Sequence, residues 1–188
     1  MDFLNNFELG ILDFIRENIA CSFLDKVMPI ITSLADAGIF WIIVAVLMLC
    51  FKKTRKAGLT VGIALVFGLA IGNGILKPVI GRIRPYDLKG GVDLLIDKLH
   101  DGSFPSGHTL ASFEAAGALM LRDKRFGVPA LILAVVIAFS RLYLYVHYPT
   151  DVISGIVLGL LFAFLAYLLV NFIYKKFGWD KTDEVKVD

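Results

Sequence analysis

The fold class this sequence predicts is all-α: a polytopic transmembrane helical bundle of about five to six helices in or on the membrane, opened by an amphipathic N-terminal helix. Three observations predict it. Hydrophobic residues make up 57% of the 188, and mean hydropathy is +0.75, both above the range of a soluble domain. The apolar residues lie in runs close to the ~20 that a spanning helix needs. Between those runs, Lys and Arg gather in short connections, as they do on the cytoplasmic side of membrane proteins. The length suits one domain, 1–188, and hardly two. A formal net charge of only +2 gives no sign of a nucleic-acid partner.

Phe3, Phe7, Ile11, Phe14 and Ile15 recur at helical spacing against Asp2, Glu8, Asp13 and Glu17. Residues 1–20 are therefore expected to form an amphipathic helix, either lying in the interface or packed on the bundle. Met1-Asp2-Phe3 lacks the basic segment of a secretory signal, so the N-terminus reads as mature. A short apolar run, Gly38–Phe51, extends back through Val27–Ala35 with Asp36 as the only charge between. It is either one bent span or two pieces. Ala57–Leu76, Ser106–Leu121, Phe126–Val146 and Val152–Tyr174 qualify as spans or come close. Gly58/Gly62, Gly68/Gly72 and Gly155/Gly159 place small residues four apart, which suits close helix packing. Cys21 and Cys50 match no metal-ligand pattern and are expected as buried inert thiols near opposite membrane faces, not as a disulfide. Residues 175–188 read as a cytoplasmic tail, solvated from Asp180 onward.

Three basic clusters, Lys52–Lys56, Arg122–Arg125 and Lys175–Lys176, mark the cytoplasmic side. With all three inside, Ala57–Leu76 runs out and Ser106–Leu121 returns. Phe126–Val146 then runs out, and Val152–Tyr174 returns to leave the C-terminus cytoplasmic. The first 35 residues carry two basic against five acidic side chains, in keeping with an outer N-terminus. The consequence for chemistry is that Lys77–Pro105 and Ser140–Asp151 meet at one extracytoplasmic face.

Three polar clusters meet there: "KPVIGRIRP" (Lys77–Pro85), "PSGH" (Pro105–His108) and "SRLYLYVHYPTD" (Ser140–Asp151). A charge at the centre of a bilayer costs roughly 2.5–3.5 kcal/mol, and charged groups set between apolar spans tend to be functional. Lys77, Arg84 and Arg141 together suit an anion, and phosphate suits them best, because arginine forks bind its oxygens in pairs. Ser106 is placed to cap a helix whose first N–H groups bind anions, and Gly107 lets backbone come close to a ligand. Taken alone, Pro-Ser-Gly-His is a weak signal, more often a plain cap than a site. His147 and Asp151, four apart across Pro149, suit a histidine oriented by a carboxylate with its other nitrogen open to attack. By itself that pair more often describes a satisfied histidine at a capped helix, and the other clusters around it reverse that balance. His108 is then available to protonate a leaving oxygen.

In combination these clusters resemble the signature of the type 2 phosphatidic acid phosphatase (PAP2) superfamily. The pattern is Lys, six residues, Arg-Pro; Pro-Ser-Gly-His; and Ser-Arg, five residues, His, three residues, Asp. Lys77 with Arg84-Pro85, Pro105–His108, and Ser140-Arg141 with His147 and Asp151 match it at every position. The resemblance implies a membrane lipid phosphatase in which His147 forms a phosphohistidine, Asp151 orients it, and His108 serves as general acid and then activates water. Lys77, Arg84, Arg141, Ser106 and the Gly107 backbone would hold the phosphoryl oxygens, with no metal or other cofactor and no required protein partner. The spans exclude the soluble haloperoxidases that share the signature. Undecaprenyl pyrophosphate is the favoured substrate, ahead of phosphatidylglycerophosphate and phosphatidic acid. Transfer of the phosphoryl group to another lipid, or non-enzymatic binding of anionic lipids, are the competing readings.

Other residues carry weaker expectations. Arg82 reads as a headgroup or surface contact, and His100 as a solvated loop residue. Glu114 is a charge inside an apolar helix with no assigned role. Trp41, Phe104, Tyr143, Tyr145 and Tyr148 fit an interfacial aromatic belt. Val92–Leu99 reads as a short amphipathic helix, at the site's entrance or covering the bundle.

The mechanism needs His147 neutral and His108 protonated, so activity should be bell-shaped in pH without added magnesium. A rate that climbs steadily with pH and depends on magnesium would contradict it.

Overall fold

The computed structural model describes residues 2–179; the expected solvated tail, Asp180–Asp188, lies outside the described residues. Every regular element among them is helical. Helix α1 spans Asp2–Asn18, α2 Ser22–Ser33 and α3 Ile39–Cys50. Helix α4, Arg55–Phe67, continues as a π-helical stretch, Gly68–Leu76, and a last turn, α5, Lys77–Ile80. A short α6, Pro85–Lys89, and an irregular loop lead to α7, Gly107–Arg122. Helices α8, Lys124–Tyr143, and α9, Pro149–Phe177, complete the chain, so Lys175 and Lys176 belong to a helix, not to a tail.

The apolar stretch from Val27 to Phe51 is divided between two helices, α2 and α3. Ala37 and Gly38 take left-handed φ values of 51° and 68°, which interrupt the helical ladder and bend α2 against α3 by 42°. A left-handed backbone is uncommon for a residue with a Cβ. The break brings the turn Asp36–Gly38 against α7. Arg55–Lys89, Lys124–Tyr143 and Pro149–Phe177 are long and apolar enough to cross a membrane, and the broken pair makes a fourth candidate. Helix α7, at 16 residues, is shorter than a span, and it is the centre of the bundle. Ala115, Ala116 and Ala118 are fully buried, and α4, α8 and α9 all pack on it. A helix enclosed by protein need not match the lipid thickness. Close packing also explains five of the six paired glycines. A Cβ on Gly159 would stand 2.8 Å from the Leu110 carbonyl oxygen, whereas one on Gly62 would meet nothing within 4 Å.

Helix α1 packs on the bundle through Glu8, Leu12 and Ile15, while Leu4, Phe7 and Phe14 are exposed. Its buried stripe thus includes a carboxylate, and its aromatic side faces outward. Three expectations fail. Cys21 and Cys50 are exposed, one in the α1–α2 turn and one on the outer side of α3. Trp41, Tyr143, Tyr145 and Tyr148 are buried, because each polar tip or ring serves a contact inside the bundle instead of a membrane belt. The Trp41 indole, for example, donates to Ser112 Oγ at 3.1 Å, while Phe104 is half-buried. Val92–Leu99 is extended loop, not helix: Val92, Leu94 and Ile96 turn inward and Asp93, Leu95 and Asp97 outward, an alternation of period two. His100 is exposed, as expected.

The bundle has two chemically different ends. At one, Arg122 donates to Thr60 Oγ1 and Asn171 Oδ1, joining α7, α4 and α9 beside the basic clusters. At the other, the ends of α5 and α8 meet the starts of α7 and α9, and the three polar clusters come together.

Candidate functional site

Each functional side chain sits where a helix starts or stops. Pro149 fixes the first turn of α9, as proline does at that position, and places Asp151 there with its Oδ2 accepting from the Tyr148 backbone N–H at 3.0 Å. Helix α8 ends at Tyr143, and Tyr145 adopts φ 62° in the reversal before His147. Such strain in a bulky residue persists where surroundings over-determine it; here the Tyr145 hydroxyl donates to Asp13 Oδ1 at 2.8 Å. Ser106 occupies the N-cap of α7 as expected. Its hydroxyl, though, pairs with Thr109 Oγ1 at 2.9 Å instead of capping a backbone N–H.

His147 and Asp151 are both fully buried. Nδ1 of His147 faces Asp151 Oδ2 at 3.6 Å, beyond hydrogen-bond length. The Ser103 hydroxyl lies between them, donating to Asp151 Oδ2 at 2.5 Å and standing 3.4 Å from His147 Nδ1. The other ring nitrogen, Nε2, lies 3.4 Å from Arg84 Nη1. Nε2 therefore points at the cations and Nδ1 at the carboxylate. Burial first, with Arg141 and Arg84 adding to it against the pull of Asp151, drives the His147 pKa down to about 3. The imidazole is neutral at ordinary pH, as a nucleophile requires.

Lys77, Arg84 and Arg141 converge as expected, near enough to feel one another's charge. Arg84 is braced, donating to the Val146 carbonyl at 2.7 Å and the Asp101 carbonyl at 3.0 Å. Arg141 is 1% exposed. Its Nη1 donates to Thr32 Oγ1 in α2, and its Nε and Nη2 are buried without a partner among the described residues. Orphaned guanidinium donors cost stability, and they suit an anion's oxygens. His108 Nε2 pairs with Asp36 Oδ1 at 2.8 Å, so the break between α2 and α3 supplies the second histidine with its own carboxylate.

A cavity of about 470 Å³ leads away from Lys77, Asp101 and His108. It follows α3 past Ile42, Val46 and Leu49 and ends among apolar residues of α4, with Gly62 on its wall. Glu114 also borders it, buried, with Oε1 unpaired among the described residues.

Five polar residues of this region escaped sequence reasoning or were misread by it: Glu8, Asp36, Arg82, Asp101 and Ser103. Arg82 is no surface contact; its Nη1 lies 2.6 Å from Asp151 Oδ1. Asp101 bridges the cations, 2.6 Å from Lys77 and 2.6 Å from Arg84. None belongs to a recognisable spacing, because each reaches its partner only through the tertiary fold.

A family model for the PAP2 superfamily matches residues 55–175. An undecaprenyl-diphosphatase of Sulfolobus acidocaldarius is 39% identical over 127 residues, which are 67% of this chain and 61% of that protein. The undecaprenyl-diphosphatase BcrC of Bacillus subtilis is 33% identical over 144 residues, 77% of this chain and 74% of that protein. A solved structure of a transmembrane PAP2-type phosphatidylglycerolphosphate phosphatase from Bacillus subtilis superposes with a TM-score of 0.70 at 26% identity. The superposition covers 100% of this chain and 90% of that one.

Burial acts to raise the Asp101 pKa, but Lys77 and Arg84 outweigh it and hold the carboxyl at about 2. Asp101 thus stays ionised and competes with any anion for those cations. Asp101→Asn should lower the inhibition constant of inorganic phosphate about 10-fold, the scale of one charged hydrogen bond. An unchanged or raised constant would contradict that competition.

Proposed function

The chain belongs to the PAP2 superfamily and is a multi-pass membrane protein, and from that premise we propose that it hydrolyses undecaprenyl diphosphate at the extracytoplasmic face through a phosphohistidine intermediate. The observation that carries this reading is the convergence of His147 Nε2, the three cations and the orphaned donors of Arg141, next to an apolar cavity that Lys77, Asp101, Gly107 and His108 border.

In the first step the terminal phosphoryl group rests among Lys77, Arg84, Arg141, Ser106 and the N-terminal backbone of α7 at Gly107. Fixed positive charge there offsets the charge that develops on the phosphoryl oxygens. Nε2 of His147 attacks phosphorus while Asp151, with Ser103 between, holds the ring. The bridging P–O bond breaks, and His108 gives its proton to the leaving lipid monophosphate. In the second step His108 takes a proton from water, whose oxygen attacks the phosphohistidine. The N–P bond breaks, inorganic phosphate leaves, and both histidines return to their starting state. The lipid tail occupies the cavity along α3, whose walls are apolar for most of its length.

The basic clusters at the far end of the bundle support a cytoplasmic position for that end and for the C-terminus of α9. The similarity to the Bacillus subtilis phosphatidylglycerolphosphate phosphatase supports a second substrate, phosphatidylglycerophosphate. Its phosphomonoester meets the same cations, and we assign the choice between the two to the loop 90–105, which brings Asp101 and Ser103 to the site.

The test is phosphate release in detergent with EDTA, from undecaprenyl diphosphate, phosphatidylglycerophosphate and phosphatidic acid. Release should vanish in His147→Ala, with undecaprenyl diphosphate cleaved fastest; a variant that keeps its activity would remove His147 from the mechanism. Because His147 loses its proton near pH 3, the rising acid limb of kcat/KM belongs there. Burial first, then Arg141, push the general acid His108 down to about 4 against the pull of Asp36, so the falling limb, where it is deprotonated, starts there and kcat/KM should decline throughout about pH 5 to 8.

A further inference from the structure

Asp151 has two carboxylate oxygens, and the proposed chemistry engages only one. Oδ2 faces Ser103, the Tyr148 backbone and His147. Oδ1 is held by Arg82 Nη1 at 2.6 Å. The same nitrogen donates to Thr150 Oγ1 at 2.7 Å, while Nη2 donates to Glu8 Oε2 at 2.6 Å and Asn5 Oδ1 at 3.1 Å. Glu8 is 2% exposed. Its second oxygen accepts from the Thr150 backbone N–H at 2.8 Å and the Thr150 hydroxyl at 2.7 Å. The Arg82 guanidinium carbon lies 3.8 Å from the centre of the Tyr148 ring.

One arginine thus joins two buried carboxylates, one from α1 and one from the first turn of α9. Both of its terminal nitrogens are engaged by protein, which separates it from Arg141, whose Nε and Nη2 have no partner among the described residues. A buried carboxylate without a cation or hydrogen bonds is costly enough that its surroundings must supply them. Here α1 helps to supply them: Glu8 fixes Arg82, and together they fix Oδ1 and the turn that carries Asp151.

We propose that Arg82 and Glu8 are positioning residues for catalysis, through which α1 sets the orientation of Asp151 and so of the His147 ring. The proposal rests on the reading of His147 as nucleophile and Asp151 as its partner. With Arg82 on Oδ1, Oδ2 is left to Ser103, the Tyr148 N–H and His147. Without it, the carboxylate is released to rotate, and the attacking nitrogen is no longer held on line with phosphorus. A misplacement of about 1 Å in such a step costs on the order of 100-fold in rate. The substrate's own contacts, with Lys77, Arg84 and Arg141, are unaffected.

The experiment is steady-state phosphate release by the full chain in detergent. It uses the lipid that wild type cleaves fastest among undecaprenyl diphosphate, phosphatidylglycerophosphate and phosphatidic acid. The variants are Arg82→Met, Arg82→Lys and Glu8→Gln, with His147→Ala alongside and rates expressed per folded molecule. In Arg82→Met, kcat should fall about 100-fold with KM within about two-fold of wild type, the signature of a lost transition-state arrangement. Arg82→Lys should recover at least about 10-fold of that loss. Glu8→Gln, which keeps size and one acceptor, should lower kcat about 10-fold and carries the test if Arg82→Met does not fold. A merely structural role would lower the yield or unfolding temperature and leave kcat per folded molecule unchanged. That outcome overturns the proposal, as does a loss confined to KM. If His147→Ala retains activity, the underlying reading fails and the proposal with it. If His147→Ala is inactive while Arg82→Met and Glu8→Gln turn over normally, the positioning role alone is wrong.

Discussion

The buried carboxylate of Asp151 is the constraint on which the rest of the site depends. Removing a charge from water is expensive, and only matched hydrogen bonds and opposite charge offset it. Asp151 collects them from the Ser103 hydroxyl, the Tyr148 N–H and Arg82. Those groups come from a loop, a turn and the segment after α5, so satisfying one side chain requires three distant pieces of chain to meet. Through Glu8 the requirement extends to α1. The same contacts hold the His147 ring with one nitrogen toward the carboxylate and the other toward the cations.

The cations pose the converse problem. Lys77, Arg84 and Arg141 repel one another, and their neighbours relieve this unevenly. Asp101 carries charge to Lys77 and Arg84, whereas Arg141 Nε and Nη2 have no partner among the described residues. A site in this condition favours an incoming anion twice over, by giving those donors partners and by displacing an exposed carboxylate. The apolar cavity beginning at the same point favours a ligand whose anionic group is tethered to a long hydrocarbon. Charge and apolar volume thus select together for a lipid phosphate.

Much of this was legible in the sequence, and the limits follow a physical line. Helices α8 and α9 announced themselves as long apolar runs, and Lys77, Arg84, His108, Arg141, His147 and Asp151 sat in motifs of fixed spacing. Where α2 ends and α3 begins was undecidable, because a left-handed Ala37 leaves no compositional mark. The aromatic belt was misread since Trp41 and the tyrosines have amphipathic rings that suit a lipid interface and a polar contact inside protein equally well. Val92–Leu99 has spacing compatible with either period over so short a stretch. Arg82 was misjudged because its partners, Glu8 and Asp151, are remote in sequence. Glu8, Thr32 and Asp36 lie before the region matched by the family model, residues 55–175, yet the first reaches Arg82 and the other two reach Arg141 and His108.

The account stands or falls on a covalent bond to one nitrogen. The most direct measurement is to mix the protein with lipid substrate carrying labelled terminal phosphate, quench into base within a single turnover, and map the label by peptide mass. Label on His147, stable in base and lost in acid as a phosphoramidate is, would be the expected result. Single-turnover release of phosphate with no label on His147, or with label on another residue, would contradict it.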